Sequence, residues 1–461
     1  MSAPTFSRFE LASAAGGRFI GAPPERVEGL VIDSRKVVPG AAFLAIAGER
    51  FDGHEFLSEV AGRGAACAVV AESFLSRRPP LALPLLAVKD TLASLGALAR
   101  YHRRRFDLPL VAITGSSGKT TTREMLGAIL RTRGPALVTE GNLNNEVGVP
   151  LTLLGLVPEH ERAVVELGMN HAGEIARLAA IAEPTVGLVT LAGPAHLEAL
   201  GSLEAVADAK AELYFALPRG GVCVANADDP LMLRRALECG KTLLTFAIGR
   251  AQRGDVTLLE VLEHGREGLR FTLGIGQREV KIALPLVGLH NAANAAAAAA
   301  AAVALGCDDR EIAAGLAEVK PVGRRLRVET LPSGVLLVDD CYNANPASMR
   351  AALYTLRDLA RDGRRAVAVL GDMLELGAGE EQAHEALGRE AAQVARVLFA
   401  FGPRSRATAR AAREAGLELV VHSEEMDELL GEVKSCLRPD DVLLVKGSRM
   451  NRLERLVDAL R

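Results

Sequence analysis

The stretch that most constrains the fold is residues 109–123, with the sequence PLVAITGSSGKTTTR. The apolar residues 110–113 predict a buried strand, the Gly/Ser segment predicts a loop, and a helix is predicted to begin near Thr120. This order brings free backbone N–H groups, a helix N-terminus and a lysine around one point, which is an arrangement that binds phosphate. We therefore expect Lys119 to reach the outer phosphates of a nucleotide and the Thr120 hydroxyl to bind Mg²⁺.

The loop departs from the strict phosphate-loop pattern at one position. That pattern has glycine five residues before Gly118, where this chain has Ile113. We expect Gly115 to supply the turn instead, which gives the shorter form TGSSGKT. A chance Gly/Ser loop is the alternative, but strand, loop, lysine and helix stand in the order that phosphate binding requires.

Composition limits the class of protein. The 461 residues are enough for about three domains, and 49% hydrophobic with 24% charged residues is typical of a soluble globular protein. A net charge of −3 gives no reason to expect nucleic acid or an anionic membrane as partner. Since the six cysteines form no CxxC pair, we expect reduced thiols in a cytoplasmic protein.

Neither a secretion signal nor a membrane span is expected. The N-terminus MSAPTF lacks a basic-then-apolar pattern. The longest apolar tract, residues 292–305, is too short and too rich in alanine to cross a bilayer. Its eight consecutive alanines favour a closely packed, buried helix over residues 290–305.

The order of predicted elements indicates an α/β protein of three domains. Residues 1–82 form a small N-terminal α/β domain, and residues 83–318 form a central ATPase-like domain with a phosphate loop and a mostly parallel sheet. Within the central domain, residues 257–284 are predicted to be an antiparallel insertion. Residues 319–461 form a Rossmann-like domain, but no GxGxxG follows its first strand, so we predict no nicotinamide site there.

Two strand ends in the central domain carry residues suited to a metal. Glu166 ends a buried strand, where ligands bind in open α/β sheets, and a carboxylate there suits Mg²⁺. His196 follows another buried strand in a Gly/Pro-rich loop on the same sheet edge. The alternatives are a salt-bridging glutamate and a surface histidine. Lys210 lies in a predicted helix, and the residues alone give it no role.

Polar groups at other element ends predict a crevice that faces the phosphate loop. Asn291 and Asn294 share a face at the start of the alanine-rich helix, with helix capping by Asn291 as the alternative. In the third domain, three strands end in polar, glycine-containing segments: residues 338–346, 371–377 and 445–449. The alternative is that each segment is an ordinary loop with polar capping residues, but this does not explain why three strands of one domain end in the same way.

At this point the residues resemble those of the Mur ligases, the ATP-dependent amide-forming ligases of cytoplasmic peptidoglycan synthesis. The similarity extends from DSR at 33–35 and GERFD at 48–52 to KGSR at 446–449, and the family uses the short TGSSGKT loop. The stretches GNLNNE at 141–146, ELGMNHAGE at 166–174 and GDMLELG at 371–377 narrow the resemblance further. They imply the reaction that adds D-alanyl-D-alanine to UDP-N-acetylmuramoyl-tripeptide through an acyl phosphate. The third residue of the tripeptide, meso-diaminopimelate or L-lysine, stays open.

The resemblance also implies roles for single residues. Those for ATP are Gly115, Ser116, Ser117, Gly118, Lys119, Thr120, Thr121, Asn291, Asn294, Arg324 and Asp340. Those for Mg²⁺ are Thr120, Glu166, His196 and Lys210, the last in the family's carbamylated-lysine position. With Lys119, the last three of these would be the catalytic residues. Those for the UDP-sugar, the peptide and the dipeptide are Ser34, Arg35, Asn142, Asn144, Asn145, Asn343, Lys446, Ser448 and Arg449.

Two departures from the family pattern leave alternatives open. Cys341 stands where relatives commonly have serine, and cysteine is the weaker hydrogen-bonding group. In the segment GRRLR, Arg325 is an alternative to Arg324 as the functional arginine.

Other functions are also considered. Within the superfamily they are the tripeptide-forming ligase, whose Asn-Pro-Arg motif this chain lacks, and folylpolyglutamate synthase, which lacks a comparable UDP-sugar domain. Outside it, the alternative is a regulatory module that hydrolyses ATP without ligation. We expect a monomer that acts on small molecules.

Overall fold

A computed structural model of the chain describes residues 4–48, 51–77, 82–194, 197–249 and 254–461. The fold is mixed α/β, as the sequence predicts, and its strands form four sheets of two, five, nine and six strands within these residues. Across the same ranges, no helix combines the length and the apolar character needed to span a lipid bilayer.

The first unit is built of short strands. Its elements are β1 (Thr5–Ser7), α1 (Arg8–Ala15), β2 (Arg18–Ile20), β3 (Arg26–Glu28), β4 (Leu30–Val31), β5 (Ala42–Leu44), α2 (Leu57–Gly62), β6 (Cys67–Ala71) and β7 (Leu85–Val88). Strands β1 and β3 pair antiparallel, and the other five form a sheet in the order β2-β7-β6-β5-β4. This sheet includes β7 and therefore extends past residue 82, the end predicted for the first unit.

The central unit carries the nine-stranded sheet. Its first elements are α3 (Thr91–Arg103), β8 (Leu110–Thr114), α4 (Lys119–Arg131), β9 (Ala136–Val138), α5 (Gly148–Leu154), β10 (Arg162–Glu166), α6 (Glu174–Ala182), β11 (Val186–Val189), α7 (Leu197–Leu200) and α8 (Leu203–Ala216). They are followed by β12 (Val222–Asn226), α9 (Pro230–Glu238), β13 (Thr242–Ala247), β14 (Val256–Gly265), β15 (Gly268–Ile275), β16 (Arg278–Leu284), α10 (His290–Ala304) and α11 (Asp309–Ala317).

The strand order of the central sheet explains where its ligands should bind. From one edge it runs β16-β15-β14-β13-β12-β11-β8-β10-β9, parallel from β14 to β9. The predicted antiparallel insertion is present as β14–β16, but β14 also pairs with β13, so these strands extend the main sheet. After β8 the chain goes to β9 on one side and later to β11 on the other. The carboxyl end of β8 is therefore a topological switch point.

The alanine-rich helix α10 is buried, as predicted. Residues 295–302 are almost fully inaccessible, and they pack with Val111, Ile113 and Ile129 in one apolar cluster. Small side chains let α10 approach α4 and the sheet closely, which brings the first turn of α10 to the phosphate loop.

The third unit has a six-stranded sheet. Its elements are β17 (Arg327–Thr330), β18 (Leu336–Asp339), α12 (Pro346–Leu359), β19 (Ala366–Gly371), α13 (Glu380–Val394), β20 (Val397–Phe401), α14 (Ser405–Glu414), β21 (Leu419–Ser423), α15 (Met426–Cys436), β22 (Val442–Lys446) and α16 (Glu454–Leu460). The order is β17-β18-β22-β19-β20-β21, with only β17 antiparallel. The ends of β18, β19 and β22 lie side by side, as the predicted crevice requires.

Candidate active site

A cleft of about 590 Å³ lies between the central and third units. The central unit contributes the phosphate loop, three asparagines (Asn142, Asn144 and Asn145), the segment after β10 and the start of α10. The third unit contributes the turn after β18 and Lys446 at the end of β22, and the linker between the units contributes Arg325. The crevice expected from the strand ends is therefore a single space around the phosphate loop.

Two glycines give the phosphate loop its shape. Gly115 has φ of +149°, and a Cβ atom there would lie 1.9 Å from Thr190 Oγ1. Gly118 begins α4 with φ of +82°, and its Cβ would lie 2.3 Å from Asn294 Oδ1. Both positions therefore require glycine for the backbone angle and for space.

The loop is also tied to the segment that follows β11. Ser116 N–H donates to the Leu191 carbonyl at 2.9 Å, and Ser116 Oγ hydrogen-bonds both backbone groups of Gly193 at 2.9 Å. The Thr190 hydroxyl donates to the Ser117 carbonyl at 2.6 Å. These bonds hold the loop in place next to a second strand end.

Lys119 lies at the bottom of the loop. Its Nζ donates to the Gly115 carbonyl at 2.7 Å, so the side chain folds back along the loop. Burial lowers the pKa of Lys119, the nearby Glu166 carboxylate opposes that shift, and the Arg325 charge adds to it. The Lys119 side chain therefore lies along the phosphate loop, where burial disfavours its charged form and Glu166 favours it.

Glu166 is the last residue of β10 and is 1% exposed. Its Oε2 accepts from the Arg123 guanidinium at 3.1 Å, and its Oε1 accepts from Asn144 Nδ2 at 2.9 Å. The salt bridge that we considered as an alternative is therefore present. Because a carboxylate oxygen can accept two bonds and each here accepts one, capacity remains for a cation.

Arg123, which the sequence analysis did not assign, contacts Glu166 of the cleft. Its side chain is fully buried, and besides Glu166 it binds Glu124 and the Gly141 carbonyl, the latter at 3.0 Å. Arg123 lies on the same helical stripe as Leu126 and Leu130, which are buried apolar residues. A charge on an apolar stripe was the signal available in the sequence.

The predicted metal ligands are only partly within the described residues. Thr120 and Glu166 both line the cleft, and hydroxyl and carboxylate oxygens suit Mg²⁺. His196 lies outside the described residues. Among the residues that are described, no three His, Cys, Asp or Glu side chains cluster as a metal site.

Lys210 is buried in α8, with 1% exposure. Burial, together with the charge of Lys119, lowers the pKa of Lys210 well below its ordinary value. Burial therefore favours the uncharged form of this side chain more than it would for an exposed lysine.

The five asparagines of the central unit that were predicted as site residues all line the cleft. Asn142, Asn144 and Asn145 line the cleft, and Asn144 donates to both Glu166 and Asn142. In α10, Asn291 Nδ2 donates to the Val287 carbonyl at 2.7 Å and is not a helix cap. Asn291 Oδ1 accepts from Asn294 Nδ2 at 2.9 Å, so the two amides form one polar face.

The third unit places a buried ion pair in the cleft wall. Lys446 Nζ donates to Asp340 Oδ2 at 2.6 Å and to the Asn343 carbonyl at 2.9 Å. His290, at the start of α10, faces this pair, and burial lowers the pKa of His290 to about 4. At neutral pH His290 is an uncharged residue of the cleft.

The two adjacent arginines go to different places. Arg324 binds Asp339 at 3.2 Å and Asp458 at 2.7 Å, and it is not part of the cleft wall. Arg325 lines the cleft and stacks over the Tyr342 ring at 4.1 Å from its centroid. Arg325, and not Arg324, therefore lies in the wall of the cleft that contains the phosphate loop.

Other predicted residues lie near the cleft or away from it. Cys341 Sγ donates to Asp339 Oδ1 at 3.0 Å and is buried behind the cleft. Ser448 Oγ accepts from Leu374 N–H at 3.1 Å, and neither Ser448 nor Arg449 lines the cleft. In the first unit, Ser34 is buried and donates to Glu59, while Arg35 is exposed and pairs with its neighbour Asp33.

Comparisons with known proteins cover nearly the whole chain. Residues 26–103 match the model of the Mur ligase family, catalytic domain. Residues 113–302 match the Mur ligase middle domain, and residues 323–449 match the Mur ligase, glutamate ligase domain.

Curated and solved relatives agree with these matches. The chain is 41% identical, over 94% of both chains, to the UDP-N-acetylmuramoyl-tripeptide–D-alanyl-D-alanine ligase of Escherichia coli K12. A crystal structure of MurF from Acinetobacter baumannii covers 100% of this chain and 99% of its own, with 35% identity and a TM-score of 0.91. MurF from Thermotoga maritima, solved in complex with ADP, covers 94% and 96% with 28% identity and a TM-score of 0.81.

Proposed function

The chain belongs to the Mur ligase family, and we propose that it joins D-alanyl-D-alanine to UDP-N-acetylmuramoyl-tripeptide at the expense of ATP, as a cytoplasmic monomer. The observation that carries this proposal is the near full-length similarity to ligases that bear this activity in their names. The chain is less similar to the tripeptide-forming ligase and to folylpolyglutamate synthase than it is to these ligases. ATP use fits the phosphate loop at the carboxyl end of β8.

The reaction proceeds in two steps. A carboxylate oxygen of the tripeptide attacks the γ-phosphorus of ATP, the bond from that phosphorus to the bridging oxygen breaks, and ADP leaves. The amine of D-alanyl-D-alanine then attacks the acyl carbon, inorganic phosphate leaves and the amine loses a proton. One amide bond forms for each ATP consumed, provided that the closed cleft keeps water from the acyl phosphate.

The phosphate loop and Lys119 hold the phosphates in this proposal. The residues that contact them are Gly115, Ser116, Ser117, Gly118, Lys119, Thr120 and Thr121. A partly buried lysine at the end of a loop of free N–H groups stabilises charge that develops on the transferred group. Asn291 and Asn294 lie towards the adenine, and Asp340 and Arg325 reach the nucleotide from the other side of the cleft. We propose Arg325 in place of Arg324, because Arg324 is committed to Asp339 and Asp458.

Thr120, Glu166, His196 and Lys210 are the proposed residues for Mg²⁺. When bound, Mg²⁺ would neutralise charge on the phosphates. Lys210 suits this role only as a carbamate, since a neutral amine can react with carbon dioxide and the product offers oxygen atoms. Its burial and lowered pKa favour the neutral amine.

The three units divide the substrates among them. We propose that residues 1–82, with Ser34 and Arg35, hold the UDP-sugar, that residues 83–318 hold ATP, and that residues 319–461 hold the amine substrate. The residues proposed to contact the peptide or the dipeptide are Asn142, Asn144, Asn145, Asn343, Lys446, Ser448 and Arg449.

The proposal is tested by ADP release with each substrate omitted in turn. Ligation requires that ADP release depend on both UDP-N-acetylmuramoyl-tripeptide and D-alanyl-D-alanine. ATP turnover without them would favour a regulatory ATPase and refute the proposal. Lys119→Ala should lose ADP release, and near-normal release by this variant would contradict the assignment of the loop.

A further inference from the structure

Asn345 links the third unit to the phosphate loop. It follows the turn after β18 and begins α12 as its N-cap, with Oδ1 accepting from Ser348 N–H at 2.8 Å. Its Nδ2 donates to the Ser116 carbonyl at 3.3 Å, although the two residues are 229 positions apart. Neither the sequence pattern nor the comparisons give Asn345 a role.

The cap fixes the direction of the Asn345 amide. Because Oδ1 is committed to the first turn of α12, the NH₂ group must point away from that helix. Ser348 Oγ accepts from Asn345 N–H at 3.0 Å, so the reciprocal capping box holds the residue at both ends. The donor is thus presented to the loop by a rigid element of the third unit.

Ser116 receives bonds from two sides. Its N–H and hydroxyl are tied to Leu191 and Gly193 of the central unit, and its carbonyl is tied to Asn345 of the third unit. In a planar trans peptide the carbonyl of one residue and the N–H of the next point in opposite directions. Anchoring the Ser116 carbonyl therefore also sets the direction of the Ser117 N–H.

The N–H groups of Ser117 and Gly118 are available to a ligand. Within residues 82–194 and the other described ranges, neither has a hydrogen-bond acceptor. Free N–H groups at a helix N-terminus next to a lysine bind phosphate. The direction of the Ser117 N–H therefore bears on the affinity for a nucleotide.

We propose that Asn345 is a positioning residue, which aligns the Ser117 N–H with the nucleotide phosphates when the third unit is docked on the loop. The inference rests on the proposed function in that the ligand is taken to be ATP or ADP. It makes the affinity for nucleotide phosphates depend on the third unit. Asn345 acts through Ser116 and Ser117.

Asn345→Ser separates the two roles of the residue. Serine is as good an N-cap as asparagine, but its hydroxyl is too short to reach across to Ser116. Asn345→Asp is a second variant that keeps the cap and loses the donor, while adding a negative charge. Asp308→Ser is the matched control, because Asp308 caps α11 through the same kind of capping box but does not line the cleft.

The measurement is calorimetric titration of the full-length protein with ADP in the presence of Mg²⁺. Loss of one hydrogen bond predicts roughly five- to tenfold weaker ADP binding by Asn345→Ser, and weaker binding still by Asn345→Asp. Asp308→Ser should bind ADP like the wild type. Binding of UDP-N-acetylmuramoyl-tripeptide to Asn345→Ser should be unchanged within about twofold, which general damage to the fold would not allow.

Unchanged ADP affinity in both Asn345 variants would overturn the inference. Equal weakening of ADP and UDP-N-acetylmuramoyl-tripeptide binding would overturn it as well, because it would show a loss of structure. ADP binding does not require ligation, so a wild-type protein that binds ADP without ligating would refute the proposed function and leave this test intact.

Discussion

Replacing Arg123 with methionine should destabilise the central sheet strongly. The Arg123 side chain is fully buried and that of Glu166 is 2% exposed, so solvent does not screen the pair. Removing one partner of such a pair costs about 3–5 kcal/mol, because the other charge is left buried and uncompensated. Methionine fills a similar volume, which keeps the effect of a cavity small.

Hydrogen exchange with mass spectrometry can measure this loss locally. A protein of three units does not unfold in one two-state step, so a global midpoint would not isolate the effect. Amides of β8 (Leu110–Thr114) and β10 (Arg162–Glu166) exchange when this sheet opens. At 1.4 kcal/mol for each factor of ten, the loss predicts roughly 150- to 4,000-fold faster exchange in these strands. β20 (Val397–Phe401) of the third unit should be unaffected.

A double-mutant cycle identifies the cause. Glu166→Gln removes the carboxylate charge and can keep the bond from Asn144, so adding it to Arg123→Met should recover about 2 kcal/mol or more of the loss. Arg123→Lys retains the charge and should lose less than Arg123→Met. If the two single effects simply add, or if exchange in β8 and β10 changes less than tenfold, the ion pair does not hold the sheet as argued.

Three further predictions concern the cleft. Gly118→Ala should weaken ADP binding roughly tenfold or more, because of backbone strain and the clash with Asn294. The control is Gly276→Ala: Gly276 also has a positive φ, +59°, but it has open space around it, so ADP binding should be unchanged. Lys446→Met should cost about 3–5 kcal/mol by leaving a buried aspartate unpaired, and Lys434→Met on the exposed face of α15 should not. Hydrogen exchange in β18 (Leu336–Asp339) and β22 (Val442–Lys446), the two strands next to the pair, checks the comparison. Burial lowers the pKa of His290 to about 4 in the folded protein. Below about pH 6.5 the unfolded chain therefore takes up a proton at this residue that the folded protein does not. The free energy of unfolding should consequently decrease as the pH is lowered from about 6.5 to 4. His290→Gln should flatten this part of the curve, and identical curves for the two proteins would contradict it.

Local patterns predicted most of the secondary structure. The strand predicted over residues 110–113 is present as Leu110–Thr114, and the helix predicted to begin near Thr120 begins at Lys119, because an apolar run followed by turn-forming residues is a local pattern. The helix from His290 was predicted because alanine favours helix and packs closely. Pairing of β14 with β13 was not predicted, since a strand's partner depends on contacts that no local pattern contains.

In the site, too, features that depend on neighbouring residues were predictable from the sequence, whereas contacts between distant residues were not. Loop, lysine and strand-end glutamate were found because their order along the chain follows the mechanism. The bonds of Arg123 to Glu166 and of Asn345 to Ser116 join residues far apart in sequence, so only the fold reveals them. Arg324 and Arg325 are equivalent in sequence. They separate because consecutive side chains leave the backbone in different directions, and Leu326 with φ of +49° turns the chain there.

The short phosphate loop explains why its shape depends on its neighbours. Ile113, where the strict pattern has glycine, is fully buried and pairs with Glu166 on one side and Leu188 on the other, so the strand continues through this position. The loop therefore starts later and has fewer residues with which to define its own conformation. Contacts from the end of β11, the start of α10 and the third unit supply the missing definition. Because one of these three elements belongs to the third unit, we expect the shape of the loop to depend on how that unit is docked on the central unit.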